Sequence, residues 1–185
     1  MSEVLESFRL ELFQSKEDIK RMVKSLGAKV EAKYSHLVSE KNPLLVLGIL
    51  NGSFIFMADL VRTLCIPLEV DFIRLSSYED RTVSSQQVVM LKAPERSLEA
   101  RHILVIDDIA DCGLTLAWMQ GFLFQKNPYS IKFAVAVDKS QKRKVPINID
   151  FIGFEDLSPH FIVGYGLDYA QKYRNQPALY HMIPN

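Results

Sequence analysis

Apolar residues recur along the chain with two different periods that alternate regularly. Ser15-Lys-Glu-Asp18 has the hydroxyl-then-acid spacing of a capping box. After it, Ile19, Met22, Val23, Leu26 and Val30 keep near-helical spacing, which predicts a helix over about residues 16–35. Leu44 to Leu50 is a continuous apolar run, the pattern of a strand covered on both faces of its sheet. Asn51-Gly-Ser53 turns the chain into a second apolar segment, Phe54 to Leu64, read as a helix. Leu68–Ile73, Ile103–Ile106 and Ile131–Val137 read as further strands, and Leu114–Phe124 as a helix. Strand, turn and helix in alternation predict an α/β fold with a mostly parallel central sheet flanked by helices. In such sheets ligands gather beyond the carboxyl ends of the strands. A site is therefore expected in the loops after Leu50, Ile106 and Val137. Ser76 to Gln87 breaks the rhythm, being polar and without apolar periodicity, and reads as a loop or hairpin; lids and idle surface loops share this composition.

Composition narrows the classes. A chain of 185 residues predicts one domain, and 48% hydrophobic with 24% charged residues and few glycines and prolines excludes a disordered or fibrous chain. Lys plus Arg (22) cancels Asp plus Glu (22), so no global field draws in nucleic acid or an anionic membrane, and any polyanion must be bound locally. The two cysteines, Cys65 and Cys112, form no framework, as suits a reducing compartment. The start Met1-Ser-Glu-Val-Leu-Glu lacks an export pattern, and the apolar runs fall far short of the ~20 residues of a membrane span. A cytoplasmic protein is expected.

Asp107, Asp108 and Asp111 place three carboxylates within five residues, read as lying directly after a buried strand, and Cys112-Gly-Leu-Thr115 then opens a helix. Their mutual repulsion calls for a cation, and hard oxygen donors suit Mg²⁺, which takes one or two carboxylates plus water and substrate oxygens. Gly113 lets the backbone pass close to a phosphate, Thr115 offers a hydroxyl, and the helix's exposed amides supply positive potential. The bland reading of the acids is a capped, solvated turn. No Walker loop, G-x-G-x-x-G, H-E-x-x-H or C-x-x-C occurs, so the commonest nucleotide and zinc motifs are absent.

The stretch Ile103-Leu-Val-Ile-Asp-Asp-Ile-Ala-Asp-Cys-Gly-Leu-Thr115 resembles the phosphoribosyl-pyrophosphate (PRPP) signature of type I phosphoribosyltransferases. Three further segments are similar to the bacterial hypoxanthine-guanine branch of that family: Gly48 to Ser53, Val70 to Tyr78, and Ile152-Gly-Phe-Glu followed by Phe161 to Arg174. The resemblance spans about residues 8 to 180. It implies the type I phosphoribosyltransferase fold, with a core over about residues 37–140 and a small hood from about 1–15 and 145–185. It also implies a purine salvage enzyme that transfers the phosphoribosyl group of PRPP to hypoxanthine, with guanine as a further acceptor.

Carried over position by position, the resemblance implies that Asp107 and Asp108 hold the ribose hydroxyls and, through them, a Mg²⁺. Asp111 acts as general base or acid at the imidazole nitrogen of the purine, and Cys112, Gly113, Leu114 and Thr115 cradle the 5′-phosphate. Lys139 donates to the 6-oxo group, Phe161 stacks on the base and the backbone of Ile162 reads its far edge. Asp168, next to the base, ligates a second Mg²⁺ on the pyrophosphate, which Arg174, Asn51 and Gly52 contact. Ser77 and Tyr78 begin a lid. Relatives form homodimers or homotetramers, and the same is expected here. Three positions depart from the family pattern: Asp107 stands for Glu, Cys112 for Thr or Ser, and Asn51 for Lys or Arg. A competing reading is a catalytically weakened regulator of the same fold that binds PRPP or nucleotide together with RNA or DNA. Neutral charge counts against it, and the basic run Lys139-Ser-Gln-Lys-Arg-Lys144 is the segment it would use.

Overall fold

The computed structural model describes residues 8–78 and 87–185. The apolar runs found in the sequence become the middle of a six-stranded sheet. β2 (Leu44–Leu50), β3 (Leu68–Tyr78), β4 (Gln87–Lys92), β5 (His102–Ala110), β6 (Ser130–Asp138) and β7 (Phe151–Glu155) lie in the order β4-β3-β2-β5-β6-β7. Every pairing is parallel except β3 with β4. Alternation along the central strands divides the core. Leu44 and Val46 of β2, Leu104 and Ile106 of β5, and Ala134 and Ala136 of β6 pack with α1 (Lys16–Tyr34) and α2 (Phe54–Val61). Leu45, Leu47, Ile103, Val105, Phe133 and Val135 pack with α3 (Leu114–Phe124) on the other face. Both faces are thus covered, which is why these strands read as unbroken apolar runs.

α1 starts where expected. The Ser15 hydroxyl accepts from the Asp18 amide at 3.1 Å and the Asp18 carboxylate accepts from the Ser15 amide at 3.1 Å, completing the capping box. α2 stops at Val61, short of Leu64, because the Thr63 hydroxyl and amide both bond the Leu60 carbonyl and end the helical ladder. β3 runs on past Ile73 to Tyr78 because β4 pairs with it, from Arg74 opposite Lys92 to Tyr78 opposite Gln87. The polar stretch therefore begins as one arm of an edge hairpin. Ser77 and Tyr78, where the expected lid begins, are its last described residues before 87, and residues 79–86 lie outside those described.

The two ends of the chain meet in a second sheet. β1 (Phe8–Gln14) pairs antiparallel with β9 (Leu179–Pro184), which pairs antiparallel with β8 (Phe161–Val163). Ile162, Tyr165, Leu167 and Leu179 join the α1–α2 side of the core, and the Tyr165 hydroxyl donates to Asp59 of α2 at 2.8 Å. The large sheet extends beyond the boundary drawn near residue 140, because β7 pairs with β6 from Ala134 opposite Phe151 to Asp138 opposite Glu155. Among the described residues, no helix is long and apolar enough to cross a membrane.

Candidate active site

The acid pair sits on a strand and does not follow one, which corrects the boundary at Ile106. Parallel pairing of β5 with β6 continues through Asp107 opposite Val135 to Ala110 opposite Asp138, so both carboxylates stand at the carboxyl end of a central strand. Asp107 is buried and Asp108 half-buried, and each carboxylate accepts from the next residue's amide, at 3.1 Å and 3.0 Å. Burial, and then the neighbouring Asp108 charge, raise the Asp107 carboxyl well above the usual carboxylate range. Burial also raises Asp108, restrained by hydrogen bonds from the Asp107 side chain and from the Ile109 and Asp108 backbone and by the Arg174 charge. Two adjacent carboxylates that are this short of positive charge fit a divalent cation. Among the described residues, no three His, Cys, Asp or Glu side chains gather into a complete metal cage. Any ion there takes its remaining oxygens from water and substrate, which is the habit of Mg²⁺.

Asp111 is exposed in the bend beyond the strand. The bend is held from the side: the Lys139 amide donates to Ala110 at 2.9 Å, and the Lys144 and Val145 amides donate to Cys112 at 2.9 and 3.1 Å. Gly113 caps α3 with φ +87°, a left-handed conformation, and a side chain there would strike the Val145 carbonyl and Arg143. α3 has no side-chain cap and no acid in its first turn, so its leading amides are open to an anion.

These residues line one cavity of about 310 Å³, at the lower end of ligand-pocket sizes. Asn51, Gly52, Asp107, Asp108, Asp111, Cys112, Gly113, Thr115, Asp168 and Arg174 all face it. Gly52 packs so close to Asp108 that a side chain at 52 would overlap that carboxylate, and a side chain at Gly166 would overlap the Gly52 carbonyl. The loop after β8 is thereby pressed against the turn after β2. Arg174 binds Asp168 Oδ1 at 2.8 Å and donates to the Gly166 carbonyl at 2.8 Å, while the Gln171 amide donates to Asp168 at 2.8 Å.

Of the expected base contacts only Asp168 lines this cavity, and Lys139, Phe161 and Ile162 do not; nor does Leu114, expected at the 5′-phosphate. Leu114 is the first residue of α3. Phe161 is 54% exposed, with its ring edge-on to Tyr169 at 5.9 Å, and Ile162 is buried in β8 opposite His181. Lys139 is buried, and its ammonium bonds Asp156 Oδ2 and the His160 carbonyl, both at 2.6 Å. Sequence reasoning missed Asp156, Leu75 and Val88. Asp156 stands immediately after a strand, the one signal that could have marked it; the two apolar residues carry none.

The family model of the phosphoribosyl transferase domain matches residues 17–170. This chain belongs to that family. Among relatives of this phosphoribosyl transferase domain, the hypoxanthine-guanine phosphoribosyltransferase of Aquifex aeolicus is 41% identical over 172 residues, covering 93% of this chain and 94% of that protein. That of Bacillus subtilis is 43% identical over 163 residues, covering 88% and 87%. Among solved structures, a Trypanosoma cruzi hypoxanthine phosphoribosyl transferase superposes with TM-score 0.88 at 34% identity, covering 95% of this chain and 92% of that one. The phosphoribosyl transferase fold expected from the sequence is therefore the fold observed.

Proposed function

We propose that this chain is a purine salvage enzyme that transfers the 5-phosphoribosyl group of PRPP to hypoxanthine, and to guanine, releasing pyrophosphate and giving IMP or GMP. One observation carries the reading. Two acidic residues at the end of β5, an open helix N-terminus, the Asn51-Gly52 turn and the Asp168–Arg174 pair converge on a single cavity. Acids suit a ribose, amides suit a phosphate, and a cation at the far wall suits a polyanionic leaving group.

In the reaction, the bond from ribose C1 to pyrophosphate breaks and a bond from C1 to the purine imidazole nitrogen forms. Positive charge builds on the sugar and negative charge on the departing oxygens. Asp107 and Asp108 orient the ribose hydroxyls, residues 112–115 hold the 5′-phosphate, and Arg174 with the amides of the 51–52 turn meets the leaving group where charge develops. Asp111, exposed beside them, takes the imidazole proton. Mg²⁺ held by Asp107 and Asp108, and a second ion at Asp168, would neutralise substrate charge. Lys139, with an ammonium donor, recognises the 6-oxo group, Phe161 stacks on the base, and the Ile162 backbone reads its edge. The three-stranded sheet then serves as a hood, and a homodimer or homotetramer is the proposed assembly.

Purified protein given Mg²⁺, PRPP and hypoxanthine forms IMP, measured by chromatography; no IMP would overturn the reading. The nucleic-acid alternative gains nothing from the fold. In the basic run 139–144, Lys139 is committed to Asp156 and Arg143 to Asp138, which leaves Lys142 and Lys144 exposed.

A further inference from the structure

The buried pair of Lys139 and Asp156 lies outside the PRPP cavity and inside a polar knot joining four parts of the chain. Each partner's side chain is 3% exposed. Lys139 follows β6, Asp156 follows β7, Ser158 and His160 lie in the segment leading to β8, and His181 is on β9. The Ser158 amide donates to Asp156 Oδ1 at 2.9 Å and its hydroxyl to Oδ2 at 3.1 Å. His181 Nε2 lies 3.3 Å from the same Oδ2 and 3.2 Å from the Ser158 hydroxyl, while the Asp156 amide donates to the Asp138 carbonyl at 2.9 Å.

Two features give this knot a direction. First, the Lys139 ammonium has three N–H donors, and Asp156 and the His160 carbonyl take two of them. Second, the His160 carbonyl belongs to the residue just before Phe161, and His181 is the strand partner of Ile162. The knot thus fixes the ammonium relative to the segment that carries Phe161 and Ile162. Burial alone would push the Asp156 carboxyl up, but the bonds from Lys139 and Ser158 hold it below the usual carboxylate range, so it stays a charged anchor.

We propose that Asp156, braced by Ser158 and His181, is a positioning residue for the purine base that acts through Lys139, leaving one ammonium donor for the base's oxygen. This rests on the reading of Lys139 as a base contact. Asp156→Asn keeps the shape and removes the charge. It raises the KM for hypoxanthine about tenfold while the KM for PRPP and kcat change less than about twofold. Removing one member of a buried pair threatens folding, so two further variants accompany it. Ser158→Ala, which removes one brace, shifts the hypoxanthine KM in the same direction by about two- to threefold. The double variant Lys139→Met with Asp156→Asn, which removes both charges, matches Lys139→Met alone, because a residue acting through Lys139 has no further effect once Lys139 is gone. Equal rises in both KM values, or an Asp156 effect that adds in full to that of Lys139→Met, would overturn the proposal. A hypoxanthine KM untouched by Lys139→Met would instead overturn the reading of Lys139, and the proposal with it.

Discussion

Gly52 and Asp108 touch with no room for a side chain between them, so the turn proposed to meet the leaving group and the strand end proposed to hold the ribose form one surface. Gly52→Ala must push the turn or the carboxylate aside. A displacement of about 1 Å in a positioned site can cost ~10²-fold, so kcat/KM for PRPP is expected to fall by about that factor, measured by initial rates with hypoxanthine saturating. Asp111 plays a different part, since it lies beyond the strand and is exposed. Asp111→Asn is expected to lower kcat by ~10²–10³-fold with PRPP binding nearly unchanged; equal losses in both would contradict a proton-transfer role. The acids at 107, 108 and 111 are legible in the sequence because they fall within five residues and follow an apolar run. Asp156 is not, because its meaning lies in a partner seventeen positions away and in a packed strand order that residue spacing does not encode.

At the scale of elements, β3 shows where apolar patterning runs out. Its first half reads as a strand because Leu68, Val70 and Phe72 alternate with Glu69 and Asp71, whereas Ser76 to Tyr78 are held by backbone pairing with β4, which leaves no apolar trace. β5 likewise continues through two aspartates because β6 keeps pairing with it. The foot of the β3–β4 hairpin is fastened by Asp71, buried on β3, whose carboxylate accepts from the amides of Phe72, Glu95 and Arg96 at 2.7, 2.7 and 2.8 Å. Burial opposes the charge there, yet these three amides hold the carboxyl below its ordinary value of 3.8. A depressed acid stabilises the fold above its ordinary value and loses that contribution as pH falls through the folded value. Asp71→Asn turns a donor toward amide donors, and is expected to cost roughly 2 kcal/mol near neutral pH. The gap in Tm between parent and variant narrows as pH falls below about 4; a gap independent of pH would mean that the charge is not what fastens the hairpin.

For the whole molecule, a net charge of zero conceals a separation that the fold brings about. Asp107 and Asp108 come from the centre of the large sheet, and Asp168 and Arg174 from the loop between β8 and β9 of the small sheet, yet all four line the same cavity. The sequence order places the pairs some sixty residues apart, and packing makes them one site: Gly166 on Gly52, with Tyr165 and Leu167 in the core. A ligand that spans both walls therefore binds the closed arrangement better than the unfolded chain and stabilises the protein by mass action. Mg²⁺ with PRPP at about a hundred times its dissociation constant is expected to add roughly 2.7 kcal/mol, read as a rise in Tm by scanning calorimetry. PRPP without Mg²⁺ should give much less, since it brings further negative charge against the buried Asp107 and half-buried Asp108 carboxylates, already short of a cation. Arg174→Ala removes the cation on the opposite wall and should reduce the rise with Mg²⁺ and PRPP together. An undiminished rise in that variant would place the pyrophosphate elsewhere and leave the two walls energetically independent.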